Sequence, residues 1–189
     1  MTDMSVTLDG FVGRPDGSDP GLHNWVFGGS VPLTMGGFTF HLTSVSSAEF
    51  FREFIHNAGA VIVGNGSFKG IGESALFQLP TFVLTHESRP SFVQDDVAIT
   101  FICDGIKSAL KKAQAAAGDK AVYIFGGAST VQQYLNAGLL DEIQITVVPM
   151  LIGDGIRLFD HLEPAQIELE STQMIAGVGI THLKYRVVK

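Results

Sequence analysis

The chain reads as an α/β domain with a mixed, mostly parallel central sheet, flanked by helices and finished by an antiparallel C-terminal hairpin. Three observations predict this. Short apolar runs alternate with helical patterns along most of the chain, the signature of strand–helix–strand crossovers. Near the C-terminus, Ile167 and Leu169 alternate with Glu168 and Glu170, and Leu183, Tyr185 and Val187 alternate with His182, Lys184 and Arg186. Such alternation marks antiparallel strands with one wet face. Finally, 189 residues with 46% hydrophobic and 16% charged side chains are enough for one packed core, so residues 1–189 are taken as a single domain.

The elements follow in order. Met4 to Leu8 is a short first strand. Residues 10–45 carry eight glycines from Gly10 to Gly37 and read as one long irregular segment, a length usually tied to function. Ser46 or Ser47 caps a helix with Glu49 in its first turn; Phe50, Phe51, Phe54 and Ile55 form its apolar face and Gly59 ends it. Ala60 to Val63, Thr81 to Leu84 and Ile99 to Cys103 are buried strands. Asp104 caps a helix over Ile106 to Ala117, with Gly118 as its C-cap. Ala121 to Phe125 is a strand and Ser129 to Asn136 a helix, with Gly138 closing it. Glu142 to Pro149 is a strand in which Ile143, Ile145 and Val147 alternate with Gln144, Thr146 and Val148.

Charge and cysteine content exclude several classes. The net charge of −7 repels nucleic acid and anionic membranes. No apolar run reaches the length of a membrane span, and the N-terminus has neither the basic nor the apolar region of a signal peptide. The one cysteine, Cys103, reads as a small buried hydrophobe and fits a reducing, cytoplasmic setting. The six histidines lack metal-ligand spacing, so no metal is expected. No serine elbow or Cys/His pair points to a hydrolase.

The strongest chemical signal is residues 122–130, Val-Tyr-Ile-Phe-Gly-Gly-Ala-Ser-Thr. A buried strand ends at Phe125. Gly126 and Gly127 let the backbone turn sharply and a ligand approach closely, and Ala128 is small for the same reason. Ser129 and Thr130 open a helix whose unpaired N–H groups and positive dipole end suit a pyrophosphate. A plain strand-to-helix turn would use the same glycines. Asp9, at a strand end beside the glycine-rich segment, is the best acidic candidate for a proton donor; Asp9-Gly10 is equally a turn-making pair. Trp25 either stacks on a flat substrate or plugs the core. Leu151, in Leu-Ile-Gly-Asp-Gly, shapes the far wall of a pocket or a surface turn.

The 122–130 segment does not stand alone. Gln133-Tyr134-Leu135, Gly138-Leu139-Leu140-Asp141-Glu142, Val148-Pro149-Met150-Leu151-Ile152-Gly153 and Arg157-Leu158-Phe159 follow it. Met4 to Phe11, His23-Asn24-Trp25, Phe82 to His86 and His182 to Val187 accompany it. Together they resemble the dihydrofolate reductase-like superfamily, most closely the reductase domain of the bifunctional riboflavin-biosynthesis deaminase-reductase and its stand-alone bacterial relatives.

The resemblance implies an NADPH cofactor, hydride transfer to a small heterocyclic or carbonyl-type substrate, and a homodimer. Carried over position by position, it implies that Gly126, Gly127, Ala128, Ser129 and Thr130 hold the pyrophosphate. It implies that Thr85 and His86 meet the adenosine ribose and its 2′-phosphate. Val12 and Gly13 lie against the nicotinamide, and Gly64 and Ser67 form a second phosphate clamp. At that clamp relatives read Gly-Arg, whereas this chain reads Gly64-Asn65-Gly66-Ser67-Phe68. Asparagine offers a neutral and weaker contact, leaving Lys69 or Arg89 to compensate. The other reading is a nucleotide-binding module that kept the pocket and lost catalysis.

Overall fold

The computed structural model describes residues 1–163 and 166–189. A nine-stranded sheet organises the chain. Its parallel body comprises β1 (Thr2–Thr7), β5 (Ala58–Gly64), β6 (Thr81–Leu84), β8 (Val97–Ile102), β9 (Ala121–Gly126) and β10 (Glu142–Val148). The edges are antiparallel: β7 (Phe92–Gln94) on one side, and the hairpin β12 (Leu169–Gly177) with β13 (Ile180–Val187) on the other. The order across the sheet is β12-β13-β10-β1-β9-β5-β6-β8-β7. The expected mixed, mostly parallel sheet with a C-terminal hairpin is what forms.

The other elements lie around it: β2 (Phe11–Gly13), α1 (Asn24–Phe27), β3 (Val31–Met35), β4 (Phe38–Leu42), α2 (Val45–Asn57), α3 (Asn65–Gly70), α4 (Ile106–Ala117), α5 (Ala128–Asn136) and β11 (Ile156–Arg157). Residues 10–45 are therefore not one irregular stretch. Val31 to Leu42 makes a hairpin whose tip, Gly36-Gly37, has positive φ at both residues. Glycine is the residue that takes this turn without strain, and alternating apolar residues flank it.

Several boundaries move for local reasons. Ser44, not Ser46 or Ser47, caps α2, its hydroxyl accepting from the Ser47 N–H. Glu49 falls outside the first turn. Gly59 does not end that helix; it sits in β5, where a Cβ would lie 2.6 Å from the Ala117 carbonyl at the end of α4. Gly105, not Asp104, occupies the α4 N-cap, and the Asp104 carboxylate instead accepts from the Ser108 hydroxyl at 2.8 Å.

On the hairpin face expected to be wet, Glu170 and Arg186 are exposed, but one position is covered. His182 is fully buried, because α2 packs over β13: Phe50 stacks on its ring and the Ser47 hydroxyl meets Nε2 at 3.0 Å. In the central strand β10, Gln144 and Thr146 are also buried, since the sheet is covered on both faces there.

Candidate functional site

The C-terminal ends of β5, β6, β8 and β9 open into one cavity of about 590 Å³. In open α/β sheets this edge is where ligands bind, because loops and helix N-termini converge there. Gly64, Ser67, Thr85, His86, Gly127, Ala128, Ser129 and Thr130 all line it, so the structure brings together most of the residues that the sequence assigns to a cofactor.

The floor is built by two glycines. Gly126 closes β9 with φ +115°, the Gly126–Gly127 peptide is cis, and Gly127 is the N-cap of α5 with no side-chain cap. The helix starts at Ala128, one residue before the sequence suggests. The N–H groups of Thr130 and Val131 turn back to the Gly127 carbonyl, leaving the earlier N–H groups of this turn for a ligand. Across the cavity, Gly64 lies so close that a Cβ there would be 2.6 Å from the Thr130 hydroxyl. A Cβ on Gly127 would be 3.0 Å from the Ser67 hydroxyl. The two strand-to-helix turns thus form a cradle of backbone and hydroxyls that side chains would fill. Asn65 contributes an unexpected feature: its Oδ1 is shielded from solvent with no hydrogen-bond partner. A dinucleotide's phosphates and hydroxyls fit this arrangement, with backbone N–H groups for the former and an orphan acceptor for the latter.

The second group of candidates sits elsewhere, around the end of β1. Asp9 is committed to loop contacts. Its Oδ1 accepts from the Thr7 hydroxyl at 2.5 Å, and its Oδ2 accepts from the N–H groups of Ile152 (3.0 Å) and Gly153 (2.8 Å). The Thr7 hydroxyl and these N–H groups hold the carboxyl below its ordinary value of 3.8. An ionised, saturated carboxylate clamps a loop and is poorly suited to donate a proton. Leu8 N–H reaches the Met150 carbonyl at 3.0 Å, so Asp9 and Leu151 do share one corner; Leu151 is largely exposed there. Val12 packs against the core and Gly13 pairs with Ile156, whose side chain lines the cavity, so β11 links this corner to the cradle.

Trp25 is a core plug, correcting the stacking role. It is buried, its indole N–H donates to the Ser5 hydroxyl at 2.8 Å, and His182 and Phe51 pack edge-on against it. Cys103 corrects in the opposite direction: it is exposed at the cavity rim. The expected compensation by Arg89 is absent. Both of its terminal nitrogens bond Glu73, at 3.3 and 2.8 Å, and its guanidinium lies 4.2 Å from the centre of the Phe101 ring. Glu87, Gly105 and Gln133 line the cavity without having been assigned to a site from the sequence. Their position just beyond β6, β8 and the start of α5 is the signal that could have found them.

Comparisons with known proteins agree with this architecture. The family model for the RibD C-terminal domain matches residues 1–180. The uncharacterized protein YyaP of Bacillus subtilis is 26% identical over 198 residues, covering 98% of this chain and 93% of that one. Among solved structures, a Shewanella sp. PV-4 protein assigned to riboflavin biosynthesis superposes with a TM-score of 0.76 at 19% identity, covering 100% and 98% of the two chains. The Thermotoga maritima diaminohydroxyphosphoribosylaminopyrimidine deaminase/5-amino-6-(5-phosphoribosylamino)uracil reductase gives 0.67 at 14% identity, with 99% of this chain matching 56% of that one. Dihydrofolate reductase from Enterococcus faecalis, complexed with NADP(H), gives 0.58 at 14% identity, covering 100% and 95%. The fold is dihydrofolate reductase-like, and the chain belongs to the RibD C-terminal domain family.

Proposed function

We propose that the protein is a reductase that takes hydride from a reduced nicotinamide dinucleotide and delivers it to a small heterocyclic or carbonyl-type substrate. NADPH is the form that the family resemblance implies. The observation that carries the reading is the cradle in which Gly64 leaves no room for a Cβ beside the Thr130 hydroxyl and Gly127 sits tight against the Ser67 hydroxyl. Such closeness lets backbone N–H groups at the start of α5 reach a pyrophosphate. Gly126 to Thr130, Gly64 and Ser67 would hold the phosphates, Thr85 and His86 the adenosine ribose. Val12 and Gly13 would lie toward the nicotinamide, which supplies the hydride when bound. The aminouracil reductase named for the Thermotoga relative and the NADP(H) in the Enterococcus complex support this class of chemistry.

In this reading Asp9 positions rather than protonates: it ties the β1–β2 turn to Ile152 and Gly153, fixing the corner where Leu151 would meet the substrate. The long exposed edge strand β12, carrying Met174, supports pairing of two copies. A silent nucleotide-binding module on the same fold is favoured by one observation, the commitment of Asp9 to loop contacts.

Thermal unfolding with millimolar NADPH or NADH tests the cofactor. Binding to the native state raises the melting temperature, by the equivalent of about 2.7 kcal/mol at a hundredfold excess over Kd. Gly127→Leu should abolish the shift. No shift with either nucleotide sinks the reading. With binding shown, oxidation of the reduced nucleotide over aminouracil ribosyl phosphates, pterins and small carbonyls separates the enzyme from the silent module.

A further inference from the structure

The dinucleotide reading leaves open which ribose the cavity accepts, and the inference rests on that reading. With the pyrophosphate at Gly127 to Thr130, the cavity continues over the ends of β6 and β8 toward Thr85, His86, Glu87 and Cys103. This is the nucleoside end. A 2′-phosphate brings close to two negative charges, and proteins meet such a group with a fixed arginine or lysine. Among the described residues neither type lines this cavity; its ionisable side chains besides Cys103 are His86 and Glu87.

Arg89 and Arg157, which follow lining residues in sequence, are held elsewhere, Arg157 over the Phe11 ring with its Nη1 donating to the Asp9 carbonyl. Lys69 and Lys107 are not among the lining residues. Arg89, two residues past Glu87, is held by both nitrogens on Glu73 and lies over Phe101. The N-terminus of α4, whose Gly105 and Ile106 also line the cavity, stands beside the Asp104 carboxylate, which the Ser108 hydroxyl holds below its ordinary titration range.

What the nucleoside end does offer is acceptors. Glu87 is fixed by a tight turn: its N–H donates to the Thr85 hydroxyl at 3.1 Å, and the Thr85 N–H donates to the Ile102 carbonyl at 3.0 Å. At the phosphate end of the same cavity, the shielded Asn65 Oδ1 has no donor among the described residues. Carboxylates and amide oxygens repel phosphate oxygens and accept from hydroxyls. An acidic residue beyond a strand end that bonds the ribose hydroxyls is the general solution for an unphosphorylated ribose.

We propose that the nucleoside end of this cavity takes an unphosphorylated ribose, with Glu87 accepting its hydroxyls, so that NADH binds at least as tightly as NADPH. Glu87 sets the preference by charge.

Isothermal titration of the intact protein with NADH and with NADPH tests this, at pH 8, where an ordinary histidine is neutral. The expected result is a Kd for NADH equal to or below that for NADPH. Glu87→Lys lies at an exposed position, so the fold should survive; a melting curve verifies that. The variant should improve NADPH relative to NADH by roughly tenfold, the value of one charge-assisted contact. Tighter NADPH binding by the unaltered protein overturns the inference, and so does a ratio that Glu87→Lys leaves unmoved. Failure of both nucleotides to bind is a different result: it removes the dinucleotide reading itself, and this inference with it.

Discussion

Gly64 and Thr130 touch across the ends of two neighbouring parallel strands: a methyl group on Gly64 would lie 2.6 Å from the Thr130 hydroxyl. The contact presses the turn after β5 against the first turn of α5. Gly64→Ala must therefore displace Thr130 and the N–H groups beside it. We expect a loss of about 1–3 kcal/mol in stability, typical of overpacking, and at least tenfold weaker dinucleotide binding. Thr130→Ala in the same chain should restore most of the stability. Urea melts and nucleotide titrations of the single and double variants check both; an undisturbed Gly64→Ala melt contradicts the contact.

Asp9 acts on the 150s loop through two N–H bonds. Asp9→Ala should speed amide hydrogen exchange at Ile152 and Gly153 while leaving β5 and β9 protected. Because the folded carboxyl titrates below 3.8, its contribution is present above that value and fades as pH falls through the lower, folded one. The variant should thus lose part of the acid-side slope below about pH 4. A proton donor would instead show as a lost basic limb in the rate profile, the fall in rate as the donor deprotonates, with exchange unchanged.

Asp3 is the clearest pH-sensitive group. It is buried in β1 opposite Gln144 of β10, and both Asp3 Oδ1 and Gln144 Oε1 lack a donor. The Tyr123 hydroxyl bonds only the Asp3 backbone carbonyl, at 3.4 Å. On the next strand, Lys184 pairs with Glu142. Burial pushes the Asp3 carboxyl from 3.8 up to about 7. The folded state keeps the proton that the unfolded chain releases, so stability declines as pH rises from about 4 to about 7 and is level above. Asp3→Asn should remove that decline, adding up to about 4 kcal/mol at pH 8 and little at pH 4. Urea midpoints across that range decide it.

His182 works in the opposite sense. Burial lowers its imidazole from 6.5 to about 4, while Thr146 and Ser47 bond its two nitrogens. The unfolded chain takes up the proton first, so stability is full above about pH 6.5 and falls by roughly 3 kcal/mol toward pH 4. His182→Gln should remove this fall, leaving the Asp3 contribution uncovered so that stability rises as pH drops from about 6.5 to 4, and should cost stability at pH 8 through the lost stacking on Phe50. Asp3 and His182 offset each other between about pH 4 and 6.5. Asp3→Asn should therefore show a steeper acid limb than the unaltered protein.

Particular residues show how far the sequence carries. The parallel strands were legible because each is a short apolar run, and Thr81 to Leu84 and Ile106 to Ala117 fall where their patterns place them. The 31–42 hairpin was hidden by the glycines around it, although its own Gly-Gly tip carries the turn chemistry. In the site, the Gly126–Thr130 turn was legible because glycine and hydroxyl residues at a strand end have a local physical meaning. Trp25 was left between two roles, and Cys103 and His182 were misplaced, because burial depends on what packs over a residue, and that is not local.

The sequence by itself determined the strand–helix alternation, the C-terminal hairpin and the glycine turn from β9 into α5, since these follow from backbone periodicity and the missing Cβ of glycine. Only the tertiary structure decided that Gly64 and Thr130 form one cradle, that Arg89 is bound to Glu73, and that Glu87 lines the same cavity as Gly127. These are distances and charge pairings between segments remote in the chain, fixed by the order of strands across the sheet.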